Sequence, residues 1–103
     1  MMRGMNMGKM MKQVKKLQKQ MGSDQRNINQ QEFVGKSPEN LVTVTFTGDH
    51  QMQDIKMDPK AIDPKDPDTL SDLIVSATND AMKKIDSATK NALGKYTKNI
   101  PGM

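Results

Sequence analysis

The sequence predicts an α+β fold: a long N-terminal helix, a three-stranded antiparallel sheet and a long C-terminal helix. Three observations predict it: a heptad spacing of apolar residues near the N-terminus, a strict two-residue alternation in the middle, and a helical apolar stripe after three Asp-Pro dipeptides. A chain of 103 residues has room for one domain. We therefore expect one α-β-β-β-α domain, with segments 1–31, 32–57, 58–66, 67–94 and 95–103.

The first segment predicts one helix, clearest from Met5 onwards. Its apolar residues recur in steps of three and four, which is the spacing of an a/d seam that packs against a partner. They are Met7, Met10, Val14, Leu17, Met21 and Ile28. Methionine suits such packing better than Cu(I) binding, which is the alternative use of its thioether. Asp24 takes a seam position and Gly22 and Ser23 weaken the same turn, so we expect the helix to be least regular there.

Five lysines lie on this helix away from the seam: Lys9, Lys12, Lys15, Lys16 and Lys19. No acidic residue separates them, whereas an ordinary solvated helix face mixes both signs of charge. A face of one sign repels itself, and this favours a polyanionic partner. DNA, RNA and an anionic membrane all remain open from this feature alone.

The middle segment predicts a meander of three strands. Val42, Val44 and Phe46 alternate with threonines, so one face of the central strand is apolar. Ile55 and Met57 share a face of the next strand. The predicted strands are 32–36, 41–47 and 51–57, joined by a loop at 37–40 and a turn at Gly48-Asp49-His50.

The three Asp-Pro dipeptides of 58–66 end the last strand, because proline cannot donate to a sheet ladder. Asp66 is the expected N-cap of a second helix over 67–94, with Pro67 in its first turn and Gly94 as the C-cap. The apolar stripe of this helix is Leu70, Leu73, Ile74, Ala77, Ala81, Ile85, Ala88 and Leu93. Its later turns carry Lys83, Lys84 and Lys90.

The composition argues against an enzyme, a metal and a cofactor. There is no cysteine for a nucleophile or a thiolate metal site, and the one histidine, His50, falls in a predicted turn where an exposed role is simpler. No glycine-rich phosphate loop is present, and the Asp-Pro carboxylates lack EF-hand spacing. No apolar run approaches 18 residues, so we expect a cytoplasmic chain without a small-molecule substrate. Only 3% of residues are aromatic, and so thin a core favours oligomerisation.

Short motifs along nearly the whole chain point to one family. They are Met10-Met11-Lys12-Gln13, Leu17-Gln18-Lys19-Gln20-Met21, Glu32-Phe33-Val34-Gly35, Leu41-Val42-Thr43-Val44-Thr45, Ile55-Lys56-Met57-Asp58-Pro59, Asp63-Pro64, residues 70–77, Asn79-Asp80-Ala81, Gly94 and Pro101-Gly102. In this order and spacing the chain resembles the YbaB/EbfC family of bacterial nucleoid-associated proteins. It departs from the family at 36–40, which replaces a glycine-rich loop, and at 22–24, where the family's first helix is more continuous.

The resemblance implies a homodimer whose helices project like the arms of tweezers and bind double-stranded DNA. It further implies a role in nucleoid organisation or gene regulation, with DNA contacts from both helices. By charge placement, the expected contacts are Lys9, Lys12, Lys15, Lys16, Lys19, Lys83, Lys84 and Lys90. The alternative is a basic amphipathic module that docks an anionic membrane surface or a partner protein without binding DNA. The first helix lacks Trp and Phe on its apolar face, which makes the membrane less attractive.

Overall fold

The computed structural model describes residues 2–98, and the side chains of residues 8–96. In chain order it has helix α1 (Met2–Gln30), strands β1 (Glu32–Lys36), β2 (Val42–Thr47) and β3 (Met52–Met57), and helix α2 (Pro67–Lys98). This confirms the predicted α-β-β-β-α order. Met1 and the part of the predicted tail at 99–103 lie outside the described residues.

The three strands form an antiparallel sheet in the order β1-β2-β3. Val44 of β2 pairs with Gly35 of β1 and with Ile55 of β3, so these three residues share a face. The alternation in β2 is confirmed, because Val42, Val44 and Phe46 are all buried while the threonines between them are half-buried. A register shift after Thr45 brings Met52 opposite Phe46 on the apolar face.

Helix α2 covers this apolar face along β1 and β2. Ala77, Ala81 and Ile85 are buried and join the β2 residues in one core, with Leu70, Leu73 and Ile74 packed around them. The close approach depends on Gly35. A Cβ placed there would lie 2.1 Å from the Ala77 carbonyl oxygen and 2.6 Å from the Ala81 nitrogen. Gly35 thus lets β1 and α2 touch backbone to backbone.

Both ends of α2 test a predicted cap. Asp66 is confirmed at the start, since its carboxylate accepts hydrogen bonds from the Thr69 N–H at 3.2 Å and the Thr69 hydroxyl at 2.5 Å. The predicted C-cap at Gly94 was wrong, because the helix continues to Lys98. Tyr96, one half-turn beyond Gly94, is buried and hydrogen-bonded to α1, so ordered helix persists past the glycine.

Helix α1 runs without a break through Gly22, Ser23 and Asp24. Its C-terminal end is anchored where Ile28 is buried and its carbonyl group lies close against Gly48. The seam farther back does not pack within the protomer, contrary to the sequence interpretation. Met10 is 62% exposed, Leu17 43% and Met21 39%. The helix leaves the domain body before its seam reaches the core, so the fold is elongated, with principal extents of 78 × 25 × 16 Å.

Candidate nucleic-acid interface

The lysines of α1 form one continuous face, called here the basic face: Lys9, Lys12, Lys15, Lys16 and Lys19. At about 100° per helical residue they fit within an arc of roughly 120°. The apolar seam lies on the opposite side of the helix. Every side chain from 8 to 21 is exposed, including all five lysines. This stretch therefore offers a charged surface that the rest of the protomer does not cover.

Arg26 extends the basic face by two turns beyond Lys19, and the sequence reasoning did not include it among the site residues. Its guanidinium lies beside Gly22, where an added Cβ would be 3.5 Å from the nearest guanidinium nitrogen. Lys16, Lys19 and Arg26 line a shallow concavity of about 440 Å³. The helical spacing of residues 19 and 26, seven apart, was the signal that would have identified it.

No carboxylate neutralises the basic face within the protomer. Among residues with described side chains, the ion pairs are Lys84–Asp80 and Lys95–Asp24, each at 3.2 Å. The α1 lysines take part in neither. Their charges are therefore available to an external anion.

The three α2 lysines predicted to bind DNA differ in their surroundings. Lys83 and Lys90 are exposed and seven residues apart, so they lie on one side of the helix. Lys84 is held by the fold: its Nζ donates to the Val34 carbonyl at 2.6 Å and pairs with Asp80. Lys84 thus ties α2 to β1, with 47% of its side chain still exposed.

A polar cluster fixes the end of α2 against the middle of α1. The Tyr96 hydroxyl donates to Asp24 Oδ2 at 2.6 Å, and Lys95 Nζ lies 3.2 Å from the same oxygen. The Tyr96 hydrogen bond, aided by Lys95, lowers the pKa of Asp24. The same hydrogen bond raises the pKa of Tyr96, and the Asp24 carboxylate raises the pKa of Lys95. This cluster sets the direction in which the basic face leaves the body.

Other candidate chemistry finds no support among the described residues. His50 is exposed, in a turn and with a positive φ of 68°, as expected of a turn residue. Within residues 8–96, no three His, Asp or Glu side chains group as a metal site would require. Neither helix, over its described residues, is long and apolar enough to cross a membrane.

Comparison with known proteins identifies the family. Residues 2–100 match the YbaB/EbfC DNA-binding family. A nucleoid-associated protein of Lactobacillus acidophilus is 58% identical over 99 residues, covering 96% of this chain and 89% of that one. Nucleoid-associated proteins of Ligilactobacillus salivarius and Enterococcus faecalis are 54% and 52% identical over 103 residues, with 99% or more of each chain covered.

The fold also has a counterpart among solved structures. The crystal structure of an uncharacterized protein from Helicobacter pylori superposes with a TM-score of 0.66 and 20% identity. The match covers 81% of this chain and 96% of that one, and it supports the fold alone. On the family match and the close relatives together, this chain belongs to the YbaB/EbfC DNA-binding family.

Proposed function

We propose that this protein binds double-stranded DNA as a homodimer, mainly through phosphate contacts, and acts in nucleoid organisation or gene regulation in the cytoplasm. The α1 contacts are the basic face, Lys9, Lys12, Lys15, Lys16 and Lys19. The α2 contacts are Lys83, Lys84 and Lys90. The close relatives are named nucleoid-associated proteins, and this supports the same role and location here.

The basic face is the observation that carries the proposal. Five exposed lysines without a neutralising carboxylate present point charges to an anion along about three turns of helix. Lysine contacts to phosphate position a protein on the duplex but carry no sequence information directly. Binding dominated by such contacts has at most a modest sequence preference.

A homodimer explains why part of the sheet's apolar face is open. Helix α2 lies over β1 and β2 and hardly reaches β3. Met52 and Met57 of β3 are therefore 45% and 40% exposed, although their cross-strand partners Phe46 and Val42 are buried. With Ile55 between them they form the β3 row. We infer that a second copy covers the β3 row, because an uncovered apolar strip at a sheet edge invites association.

A salt series with a labelled duplex tests the phosphate contacts. If four to six phosphates are neutralised, log affinity falls with log salt by about 0.9 per contact, a slope of roughly −4 to −5. A DNA affinity that stays flat across the series would contradict the mechanism. The same titration on duplexes of unrelated sequence is expected to give similar slopes, because the phosphates are the same.

The exposed seam of α1 is the one feature that favours a rival function. Met10, Val14 and Leu17 beside a basic face also suit an interfacial helix on an anionic membrane. Co-sedimentation with anionic vesicles, competed by duplex DNA, separates the two. We expect DNA to displace any bound protein, whereas retention on vesicles in excess DNA would favour the membrane.

A further inference from the structure

A second basic concavity lies away from α1, where the end of β1 and the loop after it meet the outer side of α2. Its volume is about 500 Å³, and the strand side is formed by residues 36–38. The helix side is formed by Ser76, Asn79, Asp80 and Lys83. These four residues stand at i, i+3, i+4 and i+7, so they follow one face of α2. We call this concavity the Lys36–Lys83 pocket.

Fixed backbone contacts hold the two walls of the pocket together. The Lys36 N–H donates to Asp80 Oδ2 at 2.9 Å, and Gly35 beside it permits the close approach to α2. The Lys36 hydrogen bond, with help from Lys84, lowers the pKa of Asp80. The hydroxyl of Ser37, which is buried, accepts from the Val42 N–H at 2.8 Å. The pocket is thus built on the core contact between β1 and α2.

The charge of the pocket is positive once its internal pairs are counted. Asp80 is matched by Lys84, which also donates to the Val34 carbonyl. The ammonium groups of Lys36 and Lys83 then remain. Over residues 8–96, neither lies within 4 Å of a carboxylate. Ser76 and Asn79 add a hydroxyl and an amide that can donate hydrogen bonds.

We propose that the Lys36–Lys83 pocket binds a phosphate group, with the two ammonium groups matching its charge and Ser76 and Asn79 donating to its oxygens. Its occupant is a backbone phosphate of the same duplex that the basic face grips, a step that rests on the proposed function. Charge-assisted hydrogen bonds of this kind are stronger than neutral ones. Lys36 and two uncharged α2 residues thereby join the interface, although no charge run in the sequence marks them.

The test replaces both pocket lysines, as K36Q/K83Q, and measures duplex affinity across salt. A matched control, K60Q/K65Q, removes the same charge from the exposed Asp-Pro segment, outside the pocket lining. We expect the pocket variant to weaken binding about tenfold and to reduce the slope of log affinity by about 0.9, one phosphate contact. The control is expected to change affinity less than threefold. Equal losses in the two variants would overturn a DNA phosphate in the pocket.

The K36Q change leaves the Lys36 N–H bond to Asp80 in place, so the fold should survive, and a melting curve checks this. A second measurement follows amide NMR shifts during titration with inorganic phosphate, against chloride at equal ionic strength. Shifts at Lys36, Ser76 and Asn79 that vanish in K36Q/K83Q support a phosphate site even if the protein fails to bind DNA. No response to phosphate, together with DNA affinity equal to the control's, overturns the pocket while leaving the basic face untouched.

Discussion

Asp24 is the residue on which the geometry of the interface depends. The seam spacing assigned it to an apolar position, where a carboxylate is out of place. In the fold it accepts the Tyr96 hydroxyl and pairs with Lys95, whose ammonium also lies 5.0 Å from the Tyr96 ring centre. Residues 24 and 96 are 72 apart in the chain, and nothing local in the sequence couples them. The contact explains both why α1 stays helical at Gly22–Asp24 and why α2 continues past Gly94.

The pKa shifts of this cluster predict its pH dependence. The lowered pKa of Asp24 means that its contribution to stability is present above its ordinary pKa and is lost as pH falls through the lowered value. The raised pKa of Tyr96 means that its contribution is present below its ordinary pKa and is lost as pH rises through the raised value. We expect Y96F to be less stable than the wild type between about pH 5 and 9, and the difference to shrink on both sides. A difference in unfolding free energy that stays constant from acid to strong alkali would contradict the cluster.

Element boundaries show which features the sequence could predict. The strands were predicted within one residue because Val42, Val44 and Phe46 alternate strictly and proline ends the last strand. The end of α2 was missed because Gly94 ends a helix only when it adopts a left-handed backbone, and tertiary contacts of Tyr96 decide otherwise. The lysines of the basic face could be grouped from spacing alone. The Lys36–Lys83 pocket could not, because it depends on the backbone contact at Gly35.

Two glycine substitutions test these element contacts in opposite directions. G35A places a Cβ against the Ala77 carbonyl, so α2 must move from β1, and we expect a loss of at least about 2 kcal/mol in unfolding free energy. G94A meets no atom within 4 Å and lies inside the helix, so we expect a gain of about 0.5–1 kcal/mol. Chemical denaturation of both variants measures this. Destabilisation by G94A would indicate that α2 ends at Gly94 after all.

At the scale of the whole molecule, a thin core and a projecting helix both call for a second copy. The buried core consists mainly of small and medium side chains from β2 and α2, and the β3 row continues it outward to solvent. Covering that row in a dimer would enlarge the core and hold two basic faces in a fixed relation. Two linked faces bind one duplex more tightly than either alone, because the second contact becomes intramolecular. The sequence left the dimer surface open between the sheet edge and the α1 seam.

Paired variants separate these two surfaces. M52K/M57K places charge in the β3 row, and we expect light scattering to report a monomer at micromolar concentration. V14K/L17K places the same charge in the exposed α1 seam, and we expect it to remain a dimer. The opposite pattern would assign the dimer to the α1 seam instead.

The most direct measurement of the central claim is duplex binding by the charge-reversal variant K12E/K16E/K19E. Its control, K56E/K60E/K65E, reverses three exposed lysines outside both helices. Light scattering on each variant checks that the dimer is retained. If the basic face grips phosphate, the α1 variant loses at least about 100-fold in affinity at 100 mM salt and its salt slope falls by about three, while the control changes less than tenfold. Affinity in the α1 variant equal to that of the control, with the dimer intact, would contradict the account.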